Sequence, residues 1–102
     1  MNDAPIYQQD NPLLQDAVMQ PLVAVFLERL PGRVLEMQVA LNEQDWQTLA
    51  RCAHQIKGTA ASFGYPDLTD QAAALEKSLK GGALTSAPGL FAEIKSYVLG
   101  ID

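Results

Sequence analysis

The sequence predicts an all-α fold, an antiparallel up-and-down four-helix bundle with a short extra helix at its N-terminal end. Three observations carry that prediction. Apolar residues recur at spacings of three and four along four separate stretches, the period of a helix and not of a strand. Short segments rich in Gly, Pro, Asn and Asp divide the stretches, and short connections make successive helices antiparallel neighbours. No run alternates apolar and polar residues, and no internal repeat competes.

Each element follows from its own residues. Residues 1–10 are polar, with one proline, and read as an extended N-terminal segment; the domain proper spans residues 11–102. Asn11 before Pro12 reads as an N-cap and first helical residue, opening a short helix through about Met19. Pro21 starts a longer helix with Leu22, Phe26, Leu30, Val34, Met37 and Leu41 on one face. Pro31 interrupts it and should kink or briefly break it, but the stripe continues, so one bent helix is expected.

The break "LNEQDW" follows, where Asp45 can cap a helix with Trp46, Leu49, Ala53, Ile56, Ala60 and Phe63 as its core stripe. Gly64 suits a C-terminal cap and Pro66 cannot continue that helix. Asp67 stands at the start of the next one, whose stripe is Leu68, Ala72, Leu75 and Leu79. "KGGALTSAPG" is the clearest loop, and a last helix from about Ala87 turns Leu90, Ile94, Val98 and Ile101 inward.

Composition narrows the function classes. The 102 residues make one domain with a single core, and 48% hydrophobic against 19% charged residues is ordinary globular material. A formal net charge of −5 argues against nonspecific binding to nucleic acid or to anionic lipid. The single cysteine, Cys52, excludes an intrachain disulfide, suits a cytoplasmic setting, and reads as a small half-buried apolar residue. "MNDAPIYQQDN" lacks the basic and apolar regions of a signal peptide, and no apolar run approaches membrane-spanning length.

The one histidine lies in "RCAHQIKGTAASFG". On a helical wheel His54 stands roughly 130° from the core stripe, facing solvent. Gln47, Ala50, Gly58 and Ala61 share its stripe, and three of these four are Ala or Gly. A glycine inside a helix costs about 1 kcal/mol relative to alanine. Gly58 therefore needs a reason, and close approach of another surface to His54 is one. Lys57 stands one turn on, its ammonium able to swing toward the ring. Glu76 lies about as far after the "GYP" break as His54 lies before it, so an antiparallel pair brings them face to face. A carboxylate there accepts a hydrogen bond from Nδ1–H and leaves the Nε2 lone pair outward, as a nucleophile requires. Taken singly, the residues have plainer readings: a solvated lysine, an idle exposed histidine, and Glu76 paired with Lys80 at i, i+4.

The run "AHQIKGTAASFG" resembles the signature of histidine-containing phosphotransfer (HPt) domains, A-H-x-[IL]-K-G-[ST/A]-A-x-x-[FL]-G, at His54, Ile56, Lys57, Gly58, Thr59, Ala60, Phe63 and Gly64. The flanking "FLERLPGRVLEMQVALNEQDWQTLARCAH" and "AAALEKSLKGG" are similar to the family's neighbouring helices, so the likeness covers roughly residues 20 to 82. It implies a phosphorelay intermediate: His54 takes a phosphoryl group on Nε2 from a receiver-domain aspartate and passes it to another receiver. Lys57 would neutralise phosphoryl charge, Glu76 would orient the imidazole, and Gly58 would leave room for the receiver. Arg51 or Gln55 would touch the receiver's rim, beside Gln47, Ala50 and Ala61 on the same face. Family members often carry Gln where Glu76 stands, and Glu also occurs; a carboxylate so near a phosphate repels it mildly.

The implied partners are response-regulator receiver domains and a hybrid sensor histidine kinase, met by a monomer in the cytoplasm. No nucleotide-binding signature or acidic Mg²⁺ cluster is present in the sequence, so the expected carrier has no ATP site or cofactor of its own, and Mg²⁺ comes with the receiver. Free imidazole, with a reference pKa of about 6.5, is mostly neutral and nucleophilic near neutral pH.

Four rival readings differ from this one in their residues. The dimerisation domain of sensor kinases carries an acidic residue directly after its histidine, where this chain has Gln55. The phosphoacceptor domain of a chemotaxis-type kinase shares the H-x-I-K-G core, but the compact "ALNEQDW" turn points to the other type. A helical docking module that binds receivers without phosphorylation shares the bundle, although Lys57 and Gly58 argue against it. A metal site lacks ligands, with one His and no Cys cluster.

Overall fold

Four amphipathic helices can hide their apolar stripes only by packing against one another, and that is the arrangement found. The computed structural model describes residue 6 and residues 9–100. Helix α1 is Met19–Asn42, α2 is Trp46–Ser62, α3 is Pro66–Lys80 and α4 is Ala87–Leu99. Each packs mainly on its neighbours in chain order, and α4 closes the ring against α1. Side-chain pairs fix the direction of α2 on α1: Arg33 meets Gln55 while Glu36 meets Arg51, so α2 retreats as α1 advances.

The core holds the expected stripe of α3, Leu68, Ala72, Leu75 and Leu79, and the middle of that of α2, Leu49, Ala53, Ile56 and Ala60; Trp46 and Phe63, at the two ends of the α2 stripe, are only half-buried. Each fully buried Leu or Ile contributes about 1.5–3 kcal/mol through apolar area removed from water. In α1 the buried face is Val23, Phe26, Leu30, Val34, Met37 and Ala40. Leu22, expected inside, is 49% exposed. Val23, next in the chain and a further 100° round the helix, takes that place in the core. Leu41 is half-buried. In α4 Phe91 is buried with Ile94 and Val98, while Leu90 is only half-buried; Ile101 lies outside the described residues. Cys52 is buried completely, deeper than its sequence suggested, and burial, aided by the nearby Glu36, pushes its thiol up to about 11.

Pro31 does not break α1. It sits on the exposed side, while the buried Leu30 and Val34 on either side anchor the helix to the core. The start of α1 falls two residues before Pro21, because Asp16 caps it. Its Oδ1 accepts the amides of Val18 and Met19, and its carbonyl accepts Gln20 N–H.

The extra N-terminal helix is a four-residue 3₁₀ turn, Pro12–Gln15, not a helix reaching Met19. Asn11 caps it as expected, accepting Leu13 N–H, but its Nδ2 also donates to the carbonyl of Phe63 at 2.8 Å. One buried amide thus ties the N-terminal turn to the end of α2. Gly64 serves this contact twice: its φ is +86°, and a Cβ there would meet Asn11 Oδ1 at 2.7 Å. The segment before Asn11 lies mostly outside the described residues, but Ile6 is buried in the core and its carbonyl accepts Gln9 N–H.

Three helices end in the same way. An amide two residues past the C-cap reaches back to the carbonyl three before it: Asp45 to Ala40, Tyr65 to Ala60, Ala83 to Ser78. The intervening residue is left-handed, and it is Gly64 after α2 and Gly82 after α3. After α1 it is Gln44, at φ +55°, which bears the Cβ clash that glycine avoids. Asp45 then caps α2 through Thr48, whose hydroxyl and amide hold the Asp45 carboxyl below its usual range. Replacing Gln44 with Gly should stabilise the fold by about 0.5–1 kcal/mol, the left-handed penalty less the added chain entropy. Urea denaturation reads this directly, and an unchanged or lower midpoint would mean the turn carries no strain.

Candidate functional site

The phase of α2 sets the site. Because Leu49, Cys52, Ala53 and Ile56 face the core, Gln47, Arg51, His54, Gln55, Gly58 and Ala61 are turned to solvent, with Ala50 half-buried at the edge. The His54 side chain is 65% exposed. Its Nδ1 lies 2.8 Å from Oε2 of Glu76 on α3, the pairing that equal spacing about the turn anticipated.

Glu76 itself is buried. A buried carboxylate is costly unless its oxygens are fully partnered, and here they are. Lys57 Nζ donates to Oε1 at 2.7 Å, while Oε2 takes both His54 and, at 3.0 Å, Lys80 Nζ. Lys57 chiefly, then Lys80 and more weakly His54, outweigh desolvation and pull the Glu76 carboxyl down to about 2. An ionised carboxylate only accepts, so Nδ1 carries the hydrogen between them, and on a neutral ring the lone pair sits on Nε2, facing outward. Two ammoniums against one carboxylate leave the site net positive around that nitrogen.

Two expectations are adjusted by this geometry. Lys57 does not hover beside the ring but rests on Glu76, and Glu76 keeps its i, i+4 bond to Lys80 while also meeting His54. Lys80 was therefore missed as a member of the site; its spacing from Glu76 was the available signal. With Ala50, Arg51, His54 and Glu76 it lines one shallow depression.

The surrounding residues divide by what holds them. Gln55 accepts from Arg33 at 2.9 Å, and Arg51 pairs with Glu36 at 3.4 Å, so both are tied to α1. A Cβ on Gly58 would meet nothing within 4 Å, so no internal contact demands glycine there. Beside this face a groove between α1 and α2 exposes Leu22 and Val25 next to Arg29, Arg33 and Phe63. Of the seven Lys and Arg residues, Arg29, Arg33, Arg51, Lys57 and Lys80 thus stand on or beside the His54 face of an acidic chain. Among the described residues no group of three His, Cys, Asp or Glu could hold a metal ion, and no helix is long and apolar enough to cross a membrane.

Glu76 predicts an acid sensitivity. Its carboxyl is depressed in the folded chain, so it contributes stability above the ordinary carboxylate range and loses it as pH falls toward about 2. Between pH 4.5 and pH 2 the wild type should therefore lose more stability than Glu76→Gln, measured by thermal melts across that range. Parallel losses would show the three donors do not favour the ionised form.

Comparison with protein families adds an independent finding. The family model described as Hpt domain matches residues 21–101. No match is found among curated proteins or solved structures. The match takes in α2, α3, α4 and all but the first two residues of α1, with His54, Lys57, Gly58 and Glu76 inside it. The chain belongs to the Hpt domain family, phosphotransfer modules of two-component signalling that carry a phosphoryl group rather than act as enzymes.

Proposed function

We propose that this Hpt domain is a phosphorelay intermediate, in which His54 accepts a phosphoryl group from the aspartate of one receiver domain and delivers it to the aspartate of another. One observation carries the reading: an exposed imidazole whose Nδ1 is held by a buried, ionised carboxylate. Its Nε2 lone pair attacks the phosphorus of the aspartyl phosphate. The bond from phosphorus to the carboxylate oxygen breaks, and its electron pair returns to the aspartate. Nδ1 keeps its proton, so the ring becomes cationic as the phosphoryl group arrives, and Glu76 faces that positive charge. Delivery is the reverse: the second aspartate attacks, and the electron pair returns to Nε2.

The carboxylate thus supports the step instead of merely repelling phosphate, much as a buried carboxylate orients and stabilises the imidazolium of a hydrolytic triad. Lys57 stabilises charge on the phosphoryl oxygens, a charge-assisted contact worth about 1.5–3 kcal/mol. Mg²⁺ and the reacting aspartates belong to the receivers. Gln47, Ala50, Arg51, Gln55, Gly58 and Ala61 form the docking face, and the cations around it suit a partner with an acidic site. The domain acts as a cytoplasmic monomer, with a hybrid sensor histidine kinase upstream.

The test is a panel of receiver domains loaded with labelled phosphate, mixed with wild type and with His54→Gln. Acid-labile, alkali-stable label should appear on the wild type alone, and His54→Gln should melt with the wild type because the residue is exposed. Receiver binding without label from any panel member would replace the carrier with a docking module. For Gly58, the open space predicts opposite effects on fold and function. Gly58→Ala should gain about 1 kcal/mol of helix stability. Gly58→Gln should stay folded yet receive phosphate roughly tenfold more slowly, the loss of one well-packed interface position. An unchanged transfer rate in Gly58→Gln would remove docking as the reason for the glycine.

A further inference from the structure

The ion cluster holds more cation than a single buried carboxylate needs, and its two lysines are not equivalent. Lys57 is 36% exposed and has Oε1 to itself at 2.7 Å. Lys80 is 68% exposed, sits at 3.0 Å, and shares Oε2 with the imidazole. It is therefore the looser of the two, on a side chain with free space around it. It also lines the same depression as His54, whereas Arg51 beside them is paired with Glu36.

We infer that Lys80 is a second phosphoryl-binding cation, held on Glu76 Oε2 until His54 is phosphorylated and then moved onto the phosphoryl oxygens. The inference rests on the phosphocarrier reading and follows from charge balance in the transfer step. When Nε2 bonds to phosphorus, the ring retains its Nδ1 proton and becomes positive. Oε2 then faces two cations, the imidazolium and the Lys80 ammonium, which repel one another across one oxygen. A dianionic phosphoryl group appears at the same moment on the other side of the ring. Lys80 gains an anion by leaving Oε2, and its departure gives that oxygen wholly to the imidazolium. Lys57, on the other oxygen and half-buried, feels less of this repulsion. Glu76 is in this sense a seat from which the cation is drawn.

Phosphoramidate tests this without a receiver, so docking does not enter. His54 Nε2 attacks its phosphorus, and the protonated nitrogen leaves as ammonia with the bonding pair. Wild type, Lys80→Gln and Lys80→Arg are compared for labelling rate and for the ³¹P chemical shift of the phosphohistidine. Lys80→Gln should label roughly three- to fivefold more slowly, the scale of an exposed charge contact, with a displaced ³¹P resonance. Lys80→Arg should restore both. A wild-type rate and an unmoved resonance in Lys80→Gln would reduce Lys80 to a surface partner of Glu76. Slowing that arginine does not rescue, or that leaves the resonance in place, would make it a support for Glu76 and equally overturn the inference. Absence of label on the wild type, from phosphoramidate and from every receiver, would sink the phosphocarrier reading itself and Lys80 with it.

Discussion

The site depends on one buried charge. Glu76 lies on the inner side of α3 among Ala72, Leu75 and Leu79, a position that normally takes an apolar residue, and it stays ionised there because three donors converge on two oxygens. Oε1 depends on Lys57 alone, while Oε2 is shared by His54 and Lys80; shift the register of α2 against α3 by a residue and both contacts from α2 are lost together, leaving only Lys80 on the same helix as Glu76. Local chemistry and global packing are therefore the same problem. The carboxylate that fixes the imidazole tautomer also joins α2 to α3, the pair that carries the exposed face.

That register is set at the turn. Between α2 and α3 the chain has only Phe63, Gly64 and Tyr65 to reverse direction. A left-handed Gly64 and the Tyr65-to-Ala60 bond close the first helix, and Pro66 opens the second. Asn11 seals the turn from outside through the Phe63 carbonyl, so even the N-terminal 3₁₀ turn supports the geometry at His54. Phe26, tilted against Phe63 and stacked on Tyr65, fills the same end with aromatic surface, at centroid separations of 5.3 and 5.9 Å.

The electrostatics explain how an acidic protein can receive an anion. A net charge of −5 describes the whole chain, but the ions nearest a group set its local field. Around His54 the cations Arg51, Lys57 and Lys80 are set against Glu36 and Glu76 as their counterions. Whole-chain charge therefore opposes nonspecific attraction to a polyanion without bearing on one phosphoryl group.

The sequence by itself determined the number of helices, most of their core faces and the exposure of His54, because helical periodicity is local and Gly, Pro and capping residues mark the ends. It also placed Glu76 opposite His54, since equal spacing about a short turn is countable. Leu22 and Val23 could not be ranked that way, because both are apolar and only the packing of α1 on its neighbours chooses between them. Nor could the N-terminal turn, whose length follows from Asp16 capping α1 and from Asn11 reaching Phe63. Where the Lys57 ammonium rests, and that Lys80 joins it, only the tertiary structure decided. A long flexible cation takes whichever anion the fold brings near, and here that anion, buried on another helix, is Glu76.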